Sequence, residues 1–227
     1  MLFHQLEETL PLTEVLNSRV LPLWLIPIES TAQEITPEET KIANSLSTKR
    51  SKEYKITRGY ARLILSKLFN IDPLKVPLKA YPGKAPSLPE GFGYISFSHC
   101  RDALLIAWSP EQVGVDIENK NRKFSRKLIA SRFYTDKENN ALIQLENSFY
   151  DLEVLNIWVM KEALIKWQRG RLSKDLGEWE IERKTNIAIH KKLNHHVNVY
   201  LKSYKNWTIS TASNQKIYKT QPMLCTF

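Results

Sequence analysis

The sequence predicts an α+β protein of two similar α/β subdomains that share an interface. Two observations carry this. Segments with helical spacing of apolar residues are followed by segments with strand alternation, and the succession occurs twice, on either side of about Pro110. No internal repeat or low-complexity linker interrupts the chain. We therefore expect domains at 1–110 and 111–227.

The elements follow in order. Leu21–Ile28 is apolar but holds Pro22 and Pro27, and reads as a strand at a sheet edge, where a missing N–H is tolerated. Thr36-Pro37-Glu38-Glu39 reads as a helix start: Thr caps, Pro takes the first position and acids follow. Ile56, Ala61, Ile64, Leu65 and Leu68 recur at helical spacing over Lys55–Phe69, and Asp72–Pro73 ends that segment. Tyr81–Gly93, with three prolines and three glycines, is a loop.

Two strands, Tyr94–Ser98 and Ala103–Trp108, lead through a Ser109–Pro110 turn to a third, Val113–Glu118. Asn119–Arg132 is a charge run. Leu152–Trp167 carries the longest helical pattern. Trp179–Ile189, Val197–Leu201 and Trp207–Ser210 read as three or four strands.

Composition narrows the class. With 227 residues, 42% of them hydrophobic and 25% charged, the chain can bury a sizeable core, and disorder is excluded. No apolar run of about 18 residues predicts a membrane-spanning helix. Met1–Leu12 contains Glu7 and Glu8 and lacks a basic start before an apolar run, so no signal peptide is expected. Cys100 and Cys225 have neither metal spacing nor a disulfide framework, and a cytoplasmic location is expected. The net charge of +9 points to a polyanionic partner: nucleic acid, an acidic protein, a membrane surface or a phosphate-rich small molecule.

On a strand, Val113, Val115 and Ile117 face one way while Gly114, Asp116 and Glu118 face the other. Two carboxylates on one face repel unless a cation or protons relieve them. Gly114 beside them reads as room for something to approach. A hard divalent cation on oxygen ligands fits, Mg²⁺ if phosphates complete the shell; a solvated strand face is the plain alternative.

In Trp158-Val159-Met160-Lys161-Glu162-Ala163-Leu164-Ile165-Lys166, Glu162 and Lys166 share a helix face. They form either a surface ion pair or a third metal carboxylate with a phosphate contact. His99, after Ser98 at a strand end, can donate to a phosphate. Gly83-Lys84-Ala85-Pro86 sets a lysine in a constrained loop without the rest of a P-loop. Arg58 and Arg62 are i,i+4 and can converge on one anion.

In order, R-G-x-x-R, G-K-x-P, S-H, G-V-D-I-E and W-x-M-K-E-A-x-x-K resemble the 4′-phosphopantetheinyl transferase superfamily, in its longer, two-subdomain Sfp-type branch. The resemblance covers Lys49–Trp167, roughly half of the chain, and implies a pseudo-twofold arrangement of the subdomains with the active site at their interface. It implies transfer of the 4′-phosphopantetheine arm of coenzyme A to a serine of an apo carrier protein, releasing adenosine 3′,5′-bisphosphate. By the same resemblance Asp116, Glu118 and Glu162 bind Mg²⁺; the serine proton goes either to Glu162, the preferred base, or to a metal-bound water near Glu118. Lys166 meets the phosphates and protonates the leaving group. Arg58, Lys84, Ser98 and His99 join Lys166 in binding coenzyme A, with Ser98 and His99 on the 3′-phosphate.

Two departures stand out: Ala163 replaces a serine common in the family, and Gly170-Arg171-Leu172 matches the following turn only in part. Carrier proteins of this class expose an acidic helix. Asn119–Arg132, with six basic residues and no acid, is expected to dock it with Phe124 and Leu128 as apolar anchors. Secondary-metabolite biosynthesis and a monomer are further expectations. No nucleic-acid-binding signature is present, although the charge and aromatic content leave that class, or another Mg²⁺-dependent phosphoryl enzyme, as the competing readings.

Overall fold

The computed structural model describes residues 3–4, 12–18, 21–214 and 223–226. Glu7 and Glu8 lie outside them. The chain divides into two units, one of Met1–Phe97, Arg101–Pro110 and Ile217–Phe227, the other of Ser98–Cys100 and Glu111–Lys216.

The first unit holds β1 (Phe3–His4), α1 (Leu12–Ser18), β2 (Pro22–Pro27), α2 (Pro37–Asn44), α3 (Thr48–Phe69), β3 (Tyr94–His99) and β4 (Ala103–Ser109). The last two residues of β3 group with the second unit. The second unit holds β5 (Val113–Asn119), α4 (Arg126–Phe133), α5 (Asp136–Ile143), α6 (Asn147–Gln168), α7 (Leu172–Asp175), β6 (Trp179–Glu182), β7 (Ile187–His190), β8 (His196–Tyr204) and β9 (Trp207–Ser213). A last strand, β10 (Met223–Thr226), returns to the first sheet.

That sheet has the order β1-β10-β2-β4-β3. The edge position expected for β2 does not hold, because β10 runs parallel on one side of it and β4 antiparallel on the other. Its prolines stand first and last in the strand, so the interior keeps all its amides. β10 also separates the observed units from a division at 110 alone, since its backbone pairs with β2 rather than with the second sheet. Trp24, Ile26, Leu104 and Ile106 of this sheet pack with Ile56, Tyr60, Ile64 and Leu65 of α3.

The start of α2 is a capping box: Thr36 Oγ1 accepts from Glu39 N, and Glu39 Oε2 accepts from Thr36 N. In α3, a Cβ on Gly59 would lie 2.7 Å from the Gln33 carbonyl oxygen, so the glycine of R-G-x-x-R lets neighbouring backbone lie against the helix. Arg62, expected to share an anion with Arg58, is already committed. It grips both oxygens of Glu39 at 2.7 and 3.1 Å and donates to the carbonyls of Pro73 and Val76. It is a buried strut between α2, α3 and the turn after α3.

The second sheet is antiparallel throughout, in the order β5-β9-β8-β7-β6. Helix α6 lies on β5, β9 and β8 and is also contacted by α4 and α5. Apolar residues therefore cover most of its circumference, as a helix packed on more than one side requires. Lys161, fully buried, sits 2.9 Å from Glu138 Oε2 and donates to the Leu176 carbonyl at 3.1 Å. Glu138 in turn caps α5 with Thr135 and accepts from Ile181 N at 3.1 Å. This cluster fixes α6 against α5 and β6.

Candidate metal centre

Strand β5 and helix α6 build the centre by close approach. A Cβ on Gly114 would lie 2.0 Å from the Ala163 carbonyl oxygen and 2.3 Å from Trp167 N. The space beside Asp116 that the sequence assigns to an incoming group is thus filled by the backbone of α6. That contact brings Asp116 and Glu118 of β5 up to Glu162 and Lys166 of α6.

One carboxylate oxygen from each of Asp116, Glu118 and Glu162 lies within 4.8 Å of the others. Asp116 is 2% exposed, and its Oδ1 accepts from Ser98 Oγ at 2.6 Å and from Lys166 Nζ at 2.6 Å. Its Oδ2 is buried without a hydrogen-bond partner among the described residues. Lys166 Nζ also donates to Ser98 Oγ at 2.7 Å and stands 4.0 Å from Glu162 Oε2. Arg122 Nη1 pairs with Glu118 Oε1.

Two cations thus face three carboxylates. Burial, followed by the negative charge of Asp116, pushes the Glu162 carboxyl up to about 7, while Lys166 and Arg122 pull the other way. The donor set is oxygen only and the uncompensated charge is negative. The orphaned Asp116 oxygen sits on a cluster compact enough for one ion. Those are the requirements of a hard divalent cation, so the residues fit Mg²⁺.

The remaining expected residues fall in separate surroundings. Ser98 is 4% exposed, and besides its contacts with Asp116 and Lys166 it accepts from Ile117 N at 3.3 Å, so its hydroxyl orients the acidic cluster. His99, the next residue on β3, is exposed. Strand alternation separates the members of this pair. Lys84 is exposed, in the first unit.

Arg58, also in that unit, is 8% exposed and lies over the rings of Tyr54 and Phe97 at 4.5 and 5.4 Å. It donates to the Ala80 carbonyl, close before the Lys84 loop, and its Nε has no hydrogen-bond partner among the described residues. In the charge run, Phe124 packs partly into the core under Arg122 and Arg126, whereas Leu128 is 62% exposed.

Arg122 is the site-building residue that pattern alone does not reveal. Arg122 follows Glu118 by four residues outside any helix, so no periodicity links them. The Thr135-x-x-Glu138 signature of a capping box was present and would have placed α5.

Residues 112–217 match the model of the 4′-phosphopantetheinyl transferase superfamily. Two curated relatives are 4′-phosphopantetheinyl transferase ffp of Bacillus subtilis and 4′-phosphopantetheinyl transferase Sfp of Bacillus subtilis strain 168. The first is 24% identical and the second 23%, each over 146 residues. The alignments cover 63% of this chain and 64% of each relative.

Proposed function

We propose, from the match of residues 112–217 to the 4′-phosphopantetheinyl transferase superfamily, that the chain is a member and moves the 4′-phosphopantetheine arm of coenzyme A to a serine of an apo carrier protein. The observation that carries this reading is the convergence of Asp116, Glu118 and Glu162 beside Lys166. Three carboxylates alone would repel a pyrophosphate, so the substrate requires a cation among them. Asp116, Glu118 and Glu162 would hold Mg²⁺, which when bound supplies charge neutralisation for the pyrophosphate.

Ser98 keeps Asp116 and Lys166 in register. Two of the three Lys166 N–H groups are used on Asp116 and Ser98, and the third is assigned to a phosphate oxygen. Lys84, His99 and Arg58 are assigned to the phosphates of the nucleotide half.

The carrier serine oxygen attacks the β-phosphorus, and its proton passes to Glu162. The bond from that phosphorus to the bridging oxygen breaks, and adenosine 3′,5′-bisphosphate leaves with a proton from Lys166. The stretch 119–132 is assigned to an acidic face of the carrier. A cytoplasmic monomer in secondary metabolism completes the reading.

The test is incubation with coenzyme A, Mg²⁺ and a panel of apo acyl and peptidyl carrier proteins, read by intact mass. The reading predicts one added phosphopantetheine arm on a serine. No addition to any carrier, with coenzyme A left intact, would count against it.

A further inference from the structure

We propose that Arg122 couples occupancy of the acidic cluster to the basic stretch beside it, so that a divalent cation and an acidic protein partner bind cooperatively. The inference rests on the reading of this cluster as a metal site and of 119–132 as a docking surface. Arg122 belongs to both. Its guanidinium pairs with Glu118, and it also lies 5.4 Å from the centroid of the Phe124 ring, inside the basic stretch. Its side chain is 39% exposed against 12% for Glu118, so Arg122 can swing outward while Glu118 stays with the cluster.

The neighbouring cations lack this choice. Arg126 is held by Asp151, 3.3 Å from its carboxylate and 3.1 Å from its carbonyl oxygen, and Lys120 Nζ donates to the Lys205 carbonyl at 2.8 Å. Lys166 is held on Asp116 Oδ1 and Ser98 Oγ and is less exposed than Arg122, 28% against 39%, so Arg122 is the cation better placed to leave the cluster.

A divalent ion on Glu118 places like charge beside the guanidinium and expels it toward the Phe124 side. There it adds one positive charge to the surface offered to an acidic partner. A partner that holds Arg122 outward frees Glu118 by the same factor, since coupling between two binding sites is reciprocal. The pair is partly exposed and screened, so the coupling belongs at the low end of the usual range, about fivefold.

The experiment measures Mn²⁺ binding alone, by electron paramagnetic resonance, for the wild type, Arg122→Gln and Lys123→Gln. Lys123→Gln removes the same charge from an exposed neighbour, whereas the cluster carboxylates pair with Arg122 and Lys166. Arg122→Gln should bind Mn²⁺ about fivefold more tightly, and Lys123→Gln should stay within about twofold of wild type. Affinity for an apo acyl carrier protein is then measured with and without Mn²⁺. The wild type should gain about fivefold from the metal and Arg122→Gln should gain nothing. Equal Mn²⁺ affinity in wild type and Arg122→Gln, or equal metal dependence of carrier binding in both, overturns the coupling and leaves the metal site standing. Absence of Mn²⁺ binding by the wild type overturns both.

Discussion

Replacing Gly114 with alanine tests whether the β5–α6 contact builds the centre. The new methyl group would meet the Ala163 carbonyl oxygen at 2.0 Å, the Trp167 amide nitrogen at 2.3 Å and Trp167 Cα at 2.9 Å. All three are backbone atoms of α6, so no side chain can turn aside. Relief to an ordinary contact of 3.4 Å requires helix and strand to part by about 1.4 Å.

Overpacking usually costs about 1–3 kcal/mol, and a collision with helical backbone belongs at the upper end, about 3 kcal/mol. In a chain of this length that lowers Tm by roughly 6–12 °C. The same displacement carries Glu162 and Lys166 away from Asp116, and metal sites tolerate only about 0.2 Å of ligand error. Mn²⁺ affinity should therefore fall by at least about tenfold. Thermal unfolding and Mn²⁺ titration measure the two effects. A Gly114→Ala protein with a Tm within about 2 °C of wild type and unchanged Mn²⁺ affinity would refute the argument.

Ser98→Ala should lower stability by about 1–3 kcal/mol in a denaturant titration, because Lys166 and Asp116 lose a shared partner. Its effect on binding should be similar for coenzyme A and 3′-dephospho-coenzyme A; a loss confined to coenzyme A would return Ser98 to the 3′-phosphate. His99→Ala should weaken coenzyme A selectively in the same titration. Glu39→Gln should cost about 3–5 kcal/mol, since Arg62 would remain buried beside a neutral partner; a cost under about 1 kcal/mol would contradict its role as a strut.

Glu162 sets a pH dependence. Its carboxyl rises from 4.5 to about 7 on folding, so the folded protein holds the extra proton and this contribution to stability is complete below pH 4.5. It is lost as pH rises through about 7. In chelator, Tm should fall across that window, Glu162→Gln should flatten the fall, and Mn²⁺ affinity of the wild type should increase over it. A wild-type Tm that climbs no less steeply than that of Glu162→Gln would contradict the assignment.

Periodicity made two separate pairs legible, and only the family resemblance joined them into an acidic trio. Strand alternation puts Asp116 and Glu118 together, and the helical i,i+4 step puts Glu162 with Lys166. Position in space was less legible. Gly114 announced a close approach, but nothing local distinguishes a ligand from a helix as the approaching body.

Arg58 and Arg62 present the same helical spacing, yet Glu39 and two carbonyls distant in sequence claim one of them. β2 looked like an edge from its prolines, because its neighbour β10 lies about two hundred residues further along the chain. The pairing of Arg122 with Glu118 crosses an irregular turn, where no spacing rule applies.

Asp116, Glu118 and Glu162 are assigned one shared divalent cation. Anomalous diffraction from crystals grown with Mn²⁺ tests it most directly. The account predicts a single strong peak within coordination distance of Asp116 Oδ2, Glu118 and Glu162, absent from Asp116→Ala crystals. A wild-type map with Mn²⁺ bound elsewhere, or none at this cluster, would contradict it.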